Sequence, residues 1–215
     1  FKQSAGKTAK SIITSLAVRL SFYDLNEIAS ISMKDELDFT SMGERPVALF
    51  CVIPDSDKSL NFLVGLMWST AIQTLFRLAD RKYKGPLPVP VHFIFDEWSN
   101  IPLPKDYEAI ISTARSRACH LHTIVQGVSQ IKAKYKDSWN NIIGNADSIL
   151  YLGGSEQESH KLASEMLGKE SVDIKTHSHS KGKGGSYSTN FQRVGRELLT
   201  PDEVRLLDND HCIYF

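Results

Sequence analysis

Val89-Pro90-Val91-His92-Phe93-Ile94-Phe95-Asp96-Glu97-Trp98 is an apolar, strand-forming run that ends in two adjacent carboxylates. A strand buried in a parallel sheet reads as such a run. In open α/β sheets, ligand chemistry sits at the carboxyl ends of the strands. An Asp-Glu pair at that place suits the second nucleotide motif of a P-loop ATPase. Asp96 would hold Mg²⁺, usually through water, and Glu97 would orient or deprotonate the attacking water. Taken alone, the pair reads equally well as two solvated acids at a strand end, so the flanking sequence has to decide.

Outward from this run, strands and helices alternate. Val47 to Ile53 reads as a strand stopped by Pro54, and Leu60 to Tyr83 as a long helix. A Gly/Pro loop, Lys84 to Pro88, leads into the Asp-Glu strand. Then follow a helix over Asp106 to Arg117, a strand over Cys119 to Gln126 and a helix over Ser129 to Ile143. A strand over Asp147 to Leu152 and a helix over Ser155 to Leu167, capped by Gly168, complete the series. With the apolar end, His211 to Phe215, this makes five strands. Short loops between alternating elements predict βαβ units and a parallel sheet. Lys2 to Ile31 reads as helical, with Ile12, Ile13, Leu16, Ala17 and Leu20 on one face. Thr176 to Asn190 is rich in Gly, Ser and Lys and predicts a flexible excursion. Thr200-Pro201-Asp202-Glu203 has the form of a helix start.

The chain has 215 residues, 41% of them hydrophobic, and 25 basic residues balance 25 acidic ones. Zero net charge argues against a nucleic-acid platform spread over the whole surface, while leaving room for a local basic patch. Cys51, Cys119 and Cys212 lack the CxxC spacing of metal or redox sites and read as buried, reduced thiols. Ser59 to Phe76 is an uncharged stretch of membrane-spanning length. Its Ser, Asn, Thr and Gln residues, and the charges that follow at Arg77 and Asp80, predict a core helix instead. The start at Phe1 and the end inside an apparent strand suggest a piece of a longer protein.

Several motifs bear on chemistry. Ala5-Gly6-Lys7-Thr8 imitates a P-loop, but Phe1 stands at the first glycine position and the surroundings read as continuous helix. Arg115 and Arg117, at the end of a helix, could stabilise phosphoryl charge on a neighbouring subunit or simply complement the helix dipole. Gln126 ends the following strand, at the same edge as Asp96 if the two strands run parallel. Leu152-Gly153-Gly154 is a tight turn that permits close backbone approach. His120 and His122 share a strand face, and His177 and His179 lie in the Gly/Ser segment; neither pair has the third ligand zinc needs.

Phe95-Asp96-Glu97-Trp98-Ser99-Asn100-Ile101, Thr113-Ala114-Arg115-Ser116-Arg117, Ile124-Val125-Gln126-Gly127-Val128-Ser129-Gln130-Ile131 and Leu152-Gly153-Gly154 occur in this order. With Gly195-Arg196-Glu197-Leu198-Leu199-Thr200-Pro201-Asp202-Glu203, the set resembles the coupling proteins of type IV secretion and conjugation, the TraG/TraD class. Trp98 stands where that class more often has Phe.

The resemblance implies an α/β fold: a RecA-like P-loop NTPase core with a mostly parallel sheet flanked by helices. Residues 1–32 would be the end of an inserted all-α domain, and 33–215 the C-terminal part of the motor domain. Coupling proteins are membrane-anchored hexameric ATPases that feed relaxase-bound DNA, or protein substrates, to a secretion channel. ATP and Mg²⁺ are the implied cofactors. Single-stranded DNA, the relaxase and relaxosome, channel proteins and further copies of the chain are the implied partners. The class maps Asp96 to the Mg²⁺ position, Glu97 to the catalytic base, Arg115 to an arginine finger acting across a subunit interface and Gln126 to the γ-phosphate sensor. Arg117 is a weaker finger candidate. The P-loop and the membrane anchor would lie upstream, so residues 1–215 alone are expected to hydrolyse ATP negligibly, as a soluble piece at the cytoplasmic face of the bacterial inner membrane. Two other readings remain: a related DNA-pumping ATPase, and a non-catalytic docking module that retains the RecA-like fold.

Overall fold

The structure, a computed structural model, describes residues 6–54, 58–104, 106–179 and 187–215. At its centre, β1 (Val91–Phe95) pairs in parallel with β2 (Cys119–Thr123), with Val91 opposite Cys119 and Phe95 opposite Thr123. The period of two along a strand decides what packs where. Val91, Phe93 and Phe95 point into the core, while His92 and Ile94 point out, Ile94 being 65% exposed. The apolar run predicted burial on both faces; one face is covered among the described residues.

The covered face lies against α3 (Asn61–Leu78), which continues as a π-turn over Ala79–Tyr83. Ala71, Ile72, Leu75 and Ala79 recur at helical spacing and are buried with the strand aromatics. This helix is long and apolar enough to cross a membrane, but its buried stripe serves the core, as expected. Trp68 meets Phe93 and Phe95 edge-on, at centroid distances of 6.1 and 5.3 Å, the geometry that aligns ring edges with π faces. On the other side of the core lie α4 (Tyr107–Ala114) and α5 (Val128–Tyr135), whose tyrosines reach Trp98.

Around this centre the sequence-based expectations need correcting. The helix expected over Ser129 to Ile143 is two: α5 and α6 (Trp139–Gly144), broken at Lys136-Asp137-Ser138, where Ser138 N donates to Tyr135 O at 2.7 Å. Val47 to Ile53 is extended but joins no ladder, and Phe50 and Val52 are 87% and 92% exposed. An apolar run signals a strand, but a ladder needs a partner. The strand expected over Asp147 to Leu152 shrinks to β3 (Leu150–Tyr151), which pairs antiparallel with β6 (Ile213–Tyr214). The described strands thus form one parallel pair and two antiparallel pairs, in place of a five-stranded parallel sheet. Helix-strand alternation implies parallel pairing only when a single helix makes the crossover. Between β3 and β6 stand α7 (Gln157–Leu167), a long hairpin and α8 (Pro201–Arg205).

That hairpin is a further correction. The flanks of the expected flexible excursion are β4 (Lys169–His179) and β5 (Tyr187–Glu197), paired in register from Lys169–Glu197 to His179–Tyr187. Cross-strand charges help fix this register: Arg193 Nε lies 3.0 Å from Asp173 Oδ1. Lys181 and Lys183 fall outside the described residues. Thr200 starts α8 as anticipated, with a full capping box: its hydroxyl accepts from Glu203 N at 3.3 Å, and Glu203 accepts from Thr200 N at 2.8 Å.

At the N-terminus, α1 (Gly6–Leu20) and α2 (Asn26–Ser32) are helical as expected, and α1 includes Gly6, Lys7 and Thr8. The α1 residues Ile12, Ile13 and Leu16 are exposed. Of the cysteines, only Cys119 is buried, and burial pushes its thiol up to about 11. Cys51 is half-buried and Cys212 exposed, contrary to expectation, because each lies in a segment with little or no ladder around it.

One glycine permits the close packing of α3. A Cβ on Gly65 would lie 2.6 Å from the Pro102 carbonyl oxygen, in the segment that follows the Asp-Glu turn. Helix propensity alone favours Gly65→Ala by about 1 kcal/mol. The clash is with backbone and cannot be relieved by a rotamer. Gly65→Ala is therefore expected to destabilise the protein by about 1–3 kcal/mol, the usual cost of overpacking, measured by denaturant unfolding.

Candidate functional site

The β1–β2 ladder runs past the ends of both strands. Ile124 N donates to Phe95 O at 3.1 Å, and Trp98 N donates to Ile124 O at 3.0 Å. Asp96, Glu97 and Gln126 are thereby held at one edge, the carboxyl ends of two parallel strands.

Between Phe95 and Trp98, both fully buried, the chain must turn two carboxylates outward. It does so by placing Glu97 in the left-handed region, at φ 46° and ψ 45°. For a residue with a Cβ this costs about 1–2 kcal/mol. Two hydrogen bonds hold the geometry. Glu97 N donates to Asp96 Oδ1 at 3.0 Å, and Asn100 Nδ2 donates to Glu97 Oε2 at 3.0 Å. Asn100 sits three residues on, across a single 3-10 turn, Trp98–Asn100.

Glu97 and Asn100 line a cleft of about 150 Å³ together with Ile53, Pro54, Lys58 and Asn61. Small-molecule pockets run to about 300–1,000 Å³. The cleft is smaller than these, with room for water or one phosphate group. Among the described residues, no group of three or more His, Cys, Asp or Glu is arranged for a metal. A Mg²⁺ ion that keeps its waters and shares substrate phosphates needs only one or two carboxylates. The exposed carboxylate of Asp96 fits that demand.

Gln126 is exposed and tied to the next helix: its N–H donates to Gln130 Oε1 at 3.1 Å, and Gln130 Nε2 reaches Gln126 Oε1 at 3.4 Å. The start of α5 is capped from another element. Val128 N donates to Ser159 Oγ at 3.0 Å and to Glu156 Oε2 at 3.2 Å. Desolvation raises the Glu156 pKa, but the hydrogen bonds from Ser159, Ser129 and Val128 outweigh it and hold the carboxyl below its ordinary value. A Cβ on Gly127 would meet Glu156 Cγ at 2.9 Å, so Gly127 allows this cap to close.

The arginines lie elsewhere. Arg115 and Arg117 form a turn just before β2, at the opposite end of the ladder from Glu97. Arg117 is committed: it binds both oxygens of Asp80 at 2.8 and 2.9 Å, donates to Thr113 O, and stacks 4.7 Å over Phe76. Arg115 is 80% exposed and makes one surface pair with Asp147 at 3.0 Å. Such pairs are worth little and break readily. Gly153 and Gly154 both have positive φ, so the turn after β3 needs glycine, yet a Cβ on either would meet open space. The turn's backbone is met by His160, whose Nε2 lies 3.0 Å from Gly154 O.

Two residues at the edge escaped the sequence reading. Asn100 was visible only as part of a motif. Lys134, on α5, donates to Trp98 O, Ser99 O and Ile101 O at 3.3, 3.2 and 2.5 Å, and lies 4.8 Å over the Trp98 ring. The spacing of Gln130 and Lys134, four apart on one helix that begins beside Gln126, is the signal that could have found it.

A family model for the TraM recognition site of TraD and TraG matches residues 90–209, more than half of the chain. The chain belongs to the TraG/TraD family. It corresponds to the C-terminal region of type IV coupling proteins. It is 22% identical to Protein VirD4 of Rhizobium rhizogenes over 185 residues, which cover 84% of this chain and 27% of that protein. Protein VirD4 of Agrobacterium fabrum gives 22% over 186 residues, 86% of this chain and 27% of that protein. The chain therefore spans about a quarter of the length of these relatives. The unbound structure of the bacterial conjugative coupling protein TrwB matches with a TM-score of 0.67 at 17% identity, over 98% of this chain and 48% of that one. TrwB in complex with the GTP analogue GDPNP matches with a TM-score of 0.64 at 16% identity, over 95% of this chain and 46% of that one. At these identities the likeness establishes a shared fold, the RecA-like α/β fold of TrwB.

The uncovered face of the ladder carries a histidine cluster. His92 Nδ1 lies 2.9 Å from His122 Nε2, and the His92 ring stacks on those of His120 and His122 at 4.8 and 5.2 Å. Partial burial first, and then the charges that His92 and His120 would bear, lower the pKa of His122 below 6.5. Above pH 6.5, His122 is neutral in folded and unfolded chain alike; below it, the unfolded chain binds the proton more readily. Stability measured by denaturant unfolding is expected to fall as pH drops through this window, and His122→Gln is expected to flatten the fall.

Proposed function

We propose that this chain forms part of the ATP-hydrolysing motor of a coupling protein that links a relaxosome to a type IV secretion channel and drives single-stranded DNA or protein substrates into it. The observation that carries the proposal is Glu97, turned outward in a strained backbone conformation at the carboxyl end of a parallel strand and oriented by Asn100. Strain of this kind persists where the surroundings enforce it, and it concentrates at functional sites. In this reading Asp96 holds Mg²⁺ through water, and Glu97 orients and deprotonates the attacking water. Gln126, at the neighbouring strand end, senses the γ-phosphate. Arg115 acts on the site of a neighbouring subunit in a hexamer. Its position at the far end of the ladder and its single weak ion pair suit that role, whereas Arg117 is occupied with Asp80. The phosphate-cradling loop comes from upstream residues, since Gly6, Lys7 and Thr8 belong to α1. The small size of the cleft beside Glu97 supports a site completed by other parts of the protein. Residues 1–32 close an inserted all-α domain, and an upstream segment anchors the protein so that this region lies at the cytoplasmic face of the inner membrane.

A second reading is favoured by the description of the matched family as a TraM recognition site. There, residues 90–209 serve to dock a TraM-like accessory protein, and hydrolysis at Glu97 is incidental.

The test is steady-state ATPase activity, with and without single-stranded DNA, of the cytosolic protein extended upstream through the phosphate-binding loop. DNA-stimulated turnover is expected, with a loss of about 10²–10⁴-fold in Glu97→Gln, the range for removal of a general base. Arg115→Ala is expected to lose about 10³-fold or more. Mixing the two inactive variants is expected to restore part of the activity, because some interfaces then combine an intact Glu97 with a neighbour's intact Arg115. Turnover and DNA transfer that survive Glu97→Gln would leave the docking reading in possession.

A further inference from the structure

Lys134 is an unusual anchor. Its ammonium is half-buried, and among the described residues no carboxylate lies within ion-pair distance of it. Its positive charge is met instead by three backbone carbonyls, of Trp98, Ser99 and Ile101, and by the Trp98 ring. Desolvation lowers its pKa, as expected for an ammonium held by dipoles without an opposing charge. Burial of a charge is costly unless hydrogen bonds compensate it, and here the three carbonyls do so. The fixed segment is the turn that follows Asp96-Glu97, and Asn100, whose side chain orients Glu97, lies within it.

The helix that carries Lys134 begins beside Gln126. Gln130 and Lys134 are four residues apart on α5 and share a face, and Gln126 lies just before the helix. At one end of that face, Gln130 bonds both the N–H and the side chain of Gln126. At the other end, Lys134 grips the turn. Two strand ends are thus linked twice: directly, through the ladder, and indirectly, through α5.

We propose that Lys134 and Asn100 act together as positioning residues that make the orientation of the Glu97 carboxylate depend on the placement of α5, and hence on the state of Gln126. The inference rests on the assignment of Glu97 as the base. Displacement of Gln126 by a phosphate group shifts Gln130 and the α5 face. Lys134 transmits the shift to the Trp98–Ile101 backbone, and Asn100 transmits it to Glu97 Oε2. Neither Lys134 nor Asn100 touches the reacting atoms.

The experiment uses the same upstream-extended protein and measures kcat and KM for ATP in Lys134→Met, Lys134→Arg, Asn100→Ala and Lys134→Met/Asn100→Ala, beside Glu97→Gln. Misplacement of a base by a fraction of an ångström lowers rate without removing substrate contacts. Lys134→Met and Asn100→Ala are therefore each expected to lower kcat about 10–100-fold with KM unchanged. Lys134→Arg, which keeps donors for the carbonyls, restores most of the rate. The double variant falls no further than the worse single one, because both break the same link. Asn100 is exposed and its removal leaves the core intact, so Asn100→Ala reports on the link even if Lys134→Met folds poorly. An Asn100→Ala protein with the parent's kcat overturns the proposal, as does a strictly additive double variant. Retention of turnover in Glu97→Gln is a different outcome, which removes the base assignment itself.

Discussion

Burial of Trp98 directly after the exposed Glu97 is the constraint on which the site depends. The indole is fully buried against Tyr107 and Tyr135, with ring centroids at 5.5 Å in both pairs. Large aromatic side chains dominate the energetics of a core. Here one of them has to enter the core within three residues of Phe95, equally buried, while two carboxylates stay in water. The left-handed backbone at Glu97 is how the chain reconciles these demands. Packing of the rings thus sets the direction of the carboxylate, and the strain at Glu97 follows from the core.

The same economy governs the charges around the edge. Arg117 has its guanidinium filled by Asp80, Thr113 O and the face of Phe76, which ties the turn before β2 to α3. Arg115, two residues earlier, faces water with one exposed partner. A planar fork satisfied on both edges and one face is a structural part, since its removal breaks the link between Asp80 and the turn before β2. A fork held by one exposed ion pair can change partners at little cost. Geometry therefore separates two arginines that residue type alone leaves equivalent.

What was legible in the sequence follows from the range of the forces involved. The Asp-Glu strand, the core helix after Leu60, the helix start at Thr200 and the helical setting of Gly6-Lys7-Thr8 all rest on contacts within a few residues, and all of them stand. Pairing was harder to read. Val47 to Ile53 has strand composition but no ladder, and β3 meets β6 antiparallel across more than 60 residues that two helices and a hairpin fill. Composition hid the hairpin at the flanks of Thr176 to Asn190, where Thr176–His179 pair with Tyr187–Asn190, while residues 180–186 lie outside the described residues. At the candidate site, the carboxylates could be named from their place at a strand end. Asn100 and Lys134 could not, because their roles depend on a left-handed turn and on the crossing of α5 over residues 98–101.

These long-range features bear on how the edge at Glu97 is held in place. A carboxylate fixed only by its own strand would be independent of the neighbouring helix. Glu97 sits instead on a turn whose backbone is held from α5, and the start of α5 is in turn capped by Glu156 and Ser159 from the element after β3. Three successive strand ends, after β1, β2 and β3, are thereby joined by polar contacts. Because Val128 N is satisfied from α7 and Lys134 is satisfied by the Trp98 turn, α5 cannot shift at one end without loosening a hydrogen bond at the other. Rigid coupling of this kind allows an event at one strand end to be felt at the next. The placement of Gln126 and that of the Glu97 carboxylate are therefore connected through the contacts of α5.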